Sequence, residues 1–352
     1  GTNWSSIYTT INSANLILKH TPEISFTNEA TRNEVMANAY FLRAYCYFTL
    51  VRVFGDCPLL TSGFESEKQE DMYPSRTAAS EVYAQVETDI EEALRLMPAS
   101  SKLLHKASPA AINMLRTEYY LWKAKRLGGG NAALSTAQSS VDAVLKAGYA
   151  LLPTFADIFN LNNEANSELI WTLPYIVNEN VTPGTSPNFF AYYMAPNGDR
   201  TRLREAGYTE DEVPAGSHAQ YVVPTQAYCD FLAEDARDTR TDVSVRVFED
   251  KFLTEEVQIK RMVVKFKGSF ANDTRSFDSD VPVYRLAEAY LLKAEVENAL
   301  GNTDAALQNL NVVAKRAYGV DNYYTARTQD AIDNAIISEI LKEFVAESKA
   351  WW

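Results

Sequence analysis

The stretch Asp280-Val-Pro-Val-Tyr-Arg-Leu-Ala-Glu-Ala-Tyr-Leu-Leu-Lys-Ala-Glu295 decides the fold. Val283, Leu286, Ala287, Tyr290, Leu291 and Ala294 recur at spacings of three and four, which places them on one face of a helix. Gly301-Asn302 breaks the run, and Ala306, Leu310, Val313, Ala314 and Ala317 line a second helix facing the first. Small side chains at Ala294 and Ala306 let the two backbones approach closely.

Two helices meeting through small residues around a glycine turn follow the tetratricopeptide pattern. Gly130-Asn-Ala-Ala-Leu134 and Gly301-Asn-Thr-Asp-Ala-Ala-Leu307 suggest that the same unit is used twice. Ser108 before Pro109 marks a helix start, because the hydroxyl caps the first turn and proline lacks only an N–H that has no partner there. That helix runs to about Leu127, turns at Gly128 to Gly130, and meets an antiparallel partner from Ala132 to Ala147. Upstream, Asn33 to Phe54 reads as a helix buried nearly all round, stopped by Gly55-Asp-Cys-Pro58. An exposed charged loop follows, then a helix from Thr77 to Leu96. Ile337 to Trp352 reads as a further amphipathic helix.

The helix pairs are not contiguous, so an uninterrupted solenoid is not expected. From about Leu151 to Asp280, Pro174, Pro183, Pro187, Pro196, Pro214 and Pro224 and many Asn, Asp and Gly give a turn-and-loop composition. Short strands fit Glu168 to Thr172 and Gln258 to Phe266, where β-branched and aromatic residues gather. The predicted fold is therefore mainly α: tetratricopeptide-like helical hairpins (an α-α superhelix) with a loop-rich insertion containing short β-strands. We expect one domain over 1–352, with N-terminal hairpins over 1–150, the insertion over 151–280, and the last helix pair plus the start of a further helix over 281–352. More chain is expected beyond both ends.

Hydrophobic residues at 46% and charged residues at 22% suit a globular chain with a packed core. The net charge of -13 opposes binding to a phosphate backbone, which needs clustered Lys and Arg, so nucleic acid is not an expected partner. His20, His105 and His218 are far apart and lack zinc-ligand spacing. Gly128 to Gly130 follows a helix and lacks the Lys-Ser/Thr of a phosphate loop. Glu87, Asp89, Glu91 and Glu92 read as a solvated helix face, and no Gly-x-Ser-x-Gly element is present. Arg43, Arg285 and Glu288, which fall inside apolar helical runs, are expected to form structural ion pairs.

Four stretches, in order, resemble the RagB/SusD family. They are Trp4-Ser-Ser-Ile-Tyr8 with Ile11 and Ala14-Asn15; Phe41-Leu-Arg-Ala-Tyr45 running into Leu50-Val-Arg-Val-Phe-Gly-Asp-Cys-Pro-Leu59; Pro224-Thr-Gln226 with Phe231, Asp235 and Asp238-Thr-Arg240; and Asp280 to Glu295 with Leu300-Gly301. Ala236 stands where the family often has Pro. Glu339, Glu343 and Glu347 are similar to the family's late helix.

The resemblance implies a non-catalytic lipoprotein on the outer-membrane surface, lipid-anchored at its N-terminus, that captures glycans as a lid over a SusC-like TonB-dependent transporter. It calls for no cofactor. Sugar capture wants aromatic faces beside amides, carboxylates and guanidinium groups. Phe190, Tyr192, Tyr193, Asn197 and Arg200 supply that mixture within the insertion, and Trp4 and Tyr73 are secondary candidates. The competing readings are a RagB-like peptide-capturing lid, a tetratricopeptide-type protein-interaction scaffold, and an α-helical glycoside hydrolase.

Overall fold

The computed structural model describes residues 4–66, 73–181, 204–205, 207–210, 212–213, 222–250 and 258–349. They form two compact units, residues 1–148 and 149–351.

The first unit is helical. Helix α1 (Ser5–His20) packs on α2 (Glu29–Phe54), which pairs with α3 (Ala79–Leu96); α4 (Pro109–Arg126) pairs with α5 (Gly130–Leu145). The start of α4 is capped as the sequence implies, and α2 begins at Glu29, ahead of the expected Asn33, behind a cap the sequence reading did not name. Asn28 Oδ1 accepts from Ala30 N at 2.8 Å ahead of α2, and Ser108 Oγ accepts from Ala111 N at 3.1 Å ahead of α4. Gly55 ends α2 with φ of 67°, a left-handed value that a Cβ would disfavour. The core combines Ile11, Phe41, Phe48, Ile90, Leu115 and Val141, all inaccessible, with Phe48 edge-on to Tyr119 at 5.7 Å.

One expectation fails here. Asp89 is fully buried in α3 instead of lying on a solvated face, because Arg43 of α2 is buried opposite it. The guanidinium binds the carboxylate twice, Nε to Oδ2 at 2.8 Å and Nη2 to Oδ1 at 2.6 Å, and its Nη1 donates to Asn15 Oδ1 at 2.8 Å. Burying one charge fixed the need for the other.

In the second unit, β1 (Leu169–Leu173) precedes α6 (Gln226–Leu232) and α7 (Thr241–Ser244) in the chain. Two hairpins follow, β2 (Val245–Asp250) with β3 (Gln258–Val263) and β4 (Ser269–Ala271) with β5 (Thr274–Ser276). Strand β6 (Val281–Arg285) returns antiparallel to β1, placing Tyr284 opposite Trp171, and runs directly into α8 (Leu286–Ala299). Helices α9 (Thr303–Tyr318) and α10 (Gln329–Glu343) complete the unit. The strands expected near 168–172 and 258–266 are present as β1 and β3. The expected helical face was too long at its start: Val283 and Arg285 belong to β6, where Val-Pro-Val-Tyr pairs with β1 before the helical period begins at Leu286.

Helices α8 and α9 pack as the tetratricopeptide pattern requires. Ala287, Ala294, Ala306, Leu310 and Val313 share a core with Ile332 and Ile336 of α10, and Gly301 turns the chain at φ of 81°. The last helix also differs from expectation. It starts at Gln329 and stops at Glu343, and Ala346 and Ser348 then adopt left-handed φ of 62° and 59°. The Glu343 carbonyl accepts from Lys265 Nζ and from Arg285 Nη2, both at 2.8 Å, so side chains occupy the acceptor that a continuing helix would use.

Ala294 and Ala306 are both fully buried at the α8–α9 contact. Ala294→Leu is expected to cost about 1–3 kcal/mol by overpacking, read as a lower urea midpoint, whereas Ala305→Leu on the half-buried side of α9 changes it little.

Candidate functional site

Of the seven candidate ligand contacts, Phe190, Tyr192, Tyr193, Asn197 and Arg200 lie outside the described residues. Trp4 and Tyr73 are described, both in the first unit.

Trp4 precedes α1, whose first turn closes onto it: Ile7 N and Tyr8 N donate to the Trp4 carbonyl at 3.1 and 3.2 Å. Its half-exposed ring meets Tyr8 edge-on at 5.8 Å and Phe54 at 5.0 Å, so residues of α1 and α2 hold its orientation. Tyr8 in turn contacts Tyr47 at 6.4 Å and donates to the Pro58 carbonyl at 2.7 Å. Burial raises the Tyr8 hydroxyl above its ordinary pKa, so it stays a neutral donor.

The Gly55-Asp56-Cys57 turn brings the next loop to this cluster. Asp56 Oδ1 accepts from Ala79 N at 2.8 Å and so satisfies the start of α3, while Thr77 N donates to the Cys57 carbonyl at 3.0 Å. Arg76, one residue before that bond, donates to the Asp56 carbonyl at 2.5 Å and places its guanidinium 5.1 Å from the Trp4 ring centre. Tyr73, three residues earlier, is 97% exposed. Sequence reasoning selected Trp4 and Tyr73 but missed Arg76, which lies 20 residues from Asp56 in the chain and meets it only in the fold.

Within the insertion, Asn162, Glu164, Thr209, Glu210, Ser269, Phe270 and Asp278 line a polar cleft of about 660 Å³. Arg275 and Arg204 stand 5.2 and 5.8 Å from the Phe270 ring centre, and burial with Asp280 and Asp278 nearby raises the Glu164 carboxyl.

The strongest electrostatic feature of the second unit is a buried ionic cluster that sequence reasoning saw only in part. Arg285 reaches Glu347 at 2.8 Å, Glu343 at 2.5 Å and Glu168 at 3.2 Å. Arg240 binds Asp238 and Glu339, each at 2.7 Å, and Glu343 at 3.1 Å. Arg316 binds Glu168 at 2.7 Å and also pairs with Glu343. Glu343 thus meets three arginines, which hold its carboxyl well below the usual range despite the opposing effect of burial. Lys265 donates to Glu347 at 2.5 Å and to the Glu343 carbonyl; burial, reinforced by Arg285, pushes its ammonium down to about 8. Arg43, Arg285 and Glu288 do form ion pairs, the last with Lys349 at 2.8 Å. Of the cluster itself only Arg285 was expected to form an ion pair; the carboxylates and the other cations around it were not read as its partners. Three glutamates at four-residue intervals in α10 and its extension were the available signal.

Among the described residues, no cluster of three or more His, Cys, Asp or Glu could hold a metal ion, and no helix is long and apolar enough to cross a membrane. Within the second unit, buried charge binds the strand-bearing segment to the helices that follow it. Residues 1–120 match the family described as "Starch-binding associating with outer membrane", and residues 252–352 match the SusD family. Two Formosa agariphila proteins, SusD-like protein P25 and SusD-like protein P38, are each 26% identical, over 98% and 99% of this chain and 67% and 70% of their own lengths. Among solved structures, B. fragilis NanU matches with a TM-score of 0.84 at 26% identity, covering 99% of this chain and 75% of that one. A SusD superfamily protein from Bacteroides vulgatus matches with a TM-score of 0.84 at 27% identity, covering 99% and 77%. Both ends of the chain thus match SusD-type family models, and its fold is that of SusD superfamily structures along its length.

Glu343→Ala leaves three buried arginines short of one counter-charge and is expected to destabilise the fold by about 3–5 kcal/mol, measured by denaturant unfolding. The pH dependence has two arms. Glu343 and Glu347 titrate lower folded than unfolded, so their stabilisation is present above about pH 4.3 and is lost as pH falls below it. Lys265 also titrates lower when folded, so between about 8 and its ordinary value near 10.5 the unfolded chain binds more protons. Stability should therefore rise with pH across that window, and Lys265→Met should remove the rise.

Proposed function

We propose that this chain is a glycan-binding subunit of a SusC/SusD-type uptake complex, held by an N-terminal lipid anchor at the outer-membrane surface and making or breaking no bond in its ligand. The reading is carried by the match of both ends of the chain to the SusD and starch-binding, outer-membrane-associating families. The names of the relatives agree with it, as SusD-like proteins.

In this reading Trp4 offers a held aromatic face, Arg76 beside it supplies guanidinium donors, and the exposed Tyr73 supplies a second aromatic face for a sugar ring. Phe190, Tyr192, Tyr193, Asn197 and Arg200 are proposed as glycan contacts by residue type alone. Bound glycan would favour a closed lid over the SusC-like transporter, which requires tighter binding in the closed state than in the open one.

Titration calorimetry after a glycan screen tests this. Tyr73→Ala, which removes almost no internal contact, is expected to weaken glycan binding roughly tenfold, about 1.4 kcal/mol, with the melting temperature unchanged. Trp4→Ala should weaken binding at least as much and also lower stability. A screen that finds peptide ligands alone, or turnover of an oligosaccharide by purified protein, overturns the proposal.

A further inference from the structure

The outer side of α9 carries a groove that none of the foregoing uses. After Gly319 the chain folds back along the helix, and Asn311 stitches it there: its Oδ1 accepts from Tyr324 N at 2.8 Å and its Nδ2 donates to the Tyr324 carbonyl at 2.9 Å. The space left between helix and returning chain is about 410 Å³, within the range of small-ligand pockets. Asp304, Gln308, Asn311 and Lys315 follow one another along one stripe of α9, about 16 Å long at 1.5 Å per residue.

The lining has three layers. Leu307 and Val312 give an apolar floor. Gln308, Asn322 and Thr325 are exposed lining residues with no side-chain hydrogen bond among the described residues. The ends are closed by exposed ion pairs, Lys315 with Asp321 at 2.7 Å and Arg327 with Asp304. Such pairs are weakly held in water and exchange readily for other partners. Two acids and two bases leave the groove without net charge, which disfavours a phosphate or a simple anion. Amides that both donate and accept, with a hydroxyl and an apolar floor, suit a ring bearing hydroxyls on its edge and C–H groups on its face.

We propose that this groove is a secondary saccharide site that takes one sugar residue of a glycan, with Leu307 and Val312 under the ring and Gln308, Asn322 and Thr325 on its hydroxyls. It rests on the proposed glycan ligand, and it adds a second point of attachment to the same polymer. Two weak sites on one chain bind a long glycan more tightly than either alone when both are reachable.

The full chain, amide-labelled, is titrated separately with glucose, galactose, mannose and N-acetylglucosamine at high millimolar concentration, and with glycylglycine as a zwitterionic contrast. The expected result is that at least one sugar shifts the amides of α9 and 319–327, and that Gln308→Leu with Thr325→Val reduces that shift at least tenfold in apparent affinity while shifts elsewhere persist. Sugar-dependent shifts elsewhere with none in the groove overturn this site and leave the glycan reading standing. No shift anywhere from any sugar counts against both. Groove shifts from glycylglycine but from no sugar overturn the assignment of ligand class.

Discussion

Glu343 is the constraint on which the second unit depends. A carboxylate with no access to water needs opposite charge and hydrogen bonds, and here Arg240, Arg285 and Arg316 converge on it. Those arginines come from separate places: the turn after α6, the end of β6, and α9. Glu168, immediately before β1, shares two of them. The loop-rich insertion is therefore fastened to the helix pair at its entry, its middle and its exit. Because the carboxylates of this cluster are met by arginine or lysine, its chemistry is that of a fastening.

This fastening explains how the short described strands of the insertion hold their place. Among the described residues its strands come in pairs, β1 with β6, β2 with β3, and β4 with β5, and such two-stranded pieces are marginal by themselves. Lys265 extends the fastening toward the end of the chain through Glu347 and the Val345 carbonyl, while its ammonium lies between the rings of Phe155 and Phe159. The stop of α10 at Glu343 is part of the same arrangement.

The helices were legible in the sequence because their signals are local: Ser108-Pro109, Gly55, Gly301 and the three-and-four spacing from Leu286 to Ala317 each act within a few residues. The same locality explains the errors. Val283 fits a helical period by coincidence, and only its pairing with β1, more than a hundred residues away, makes it a strand. Asp89 looked like one of four surface acids because nothing in α3 announces that Arg43 is buried opposite. For the site, aromatic residue type was enough to single out Trp4 and Tyr73, but Arg76 joins them through the Asp56 turn, a relation between backbone atoms that composition does not carry.

Asp56 therefore serves two masters. Its side chain completes the first turn of α3, and its carbonyl steadies the guanidinium lying over Trp4. The upkeep of a helix and the shape of an exposed aromatic surface are thereby coupled through one residue that need not touch any ligand. A shift of this turn would therefore unsettle the start of α3 and the guanidinium over Trp4 together.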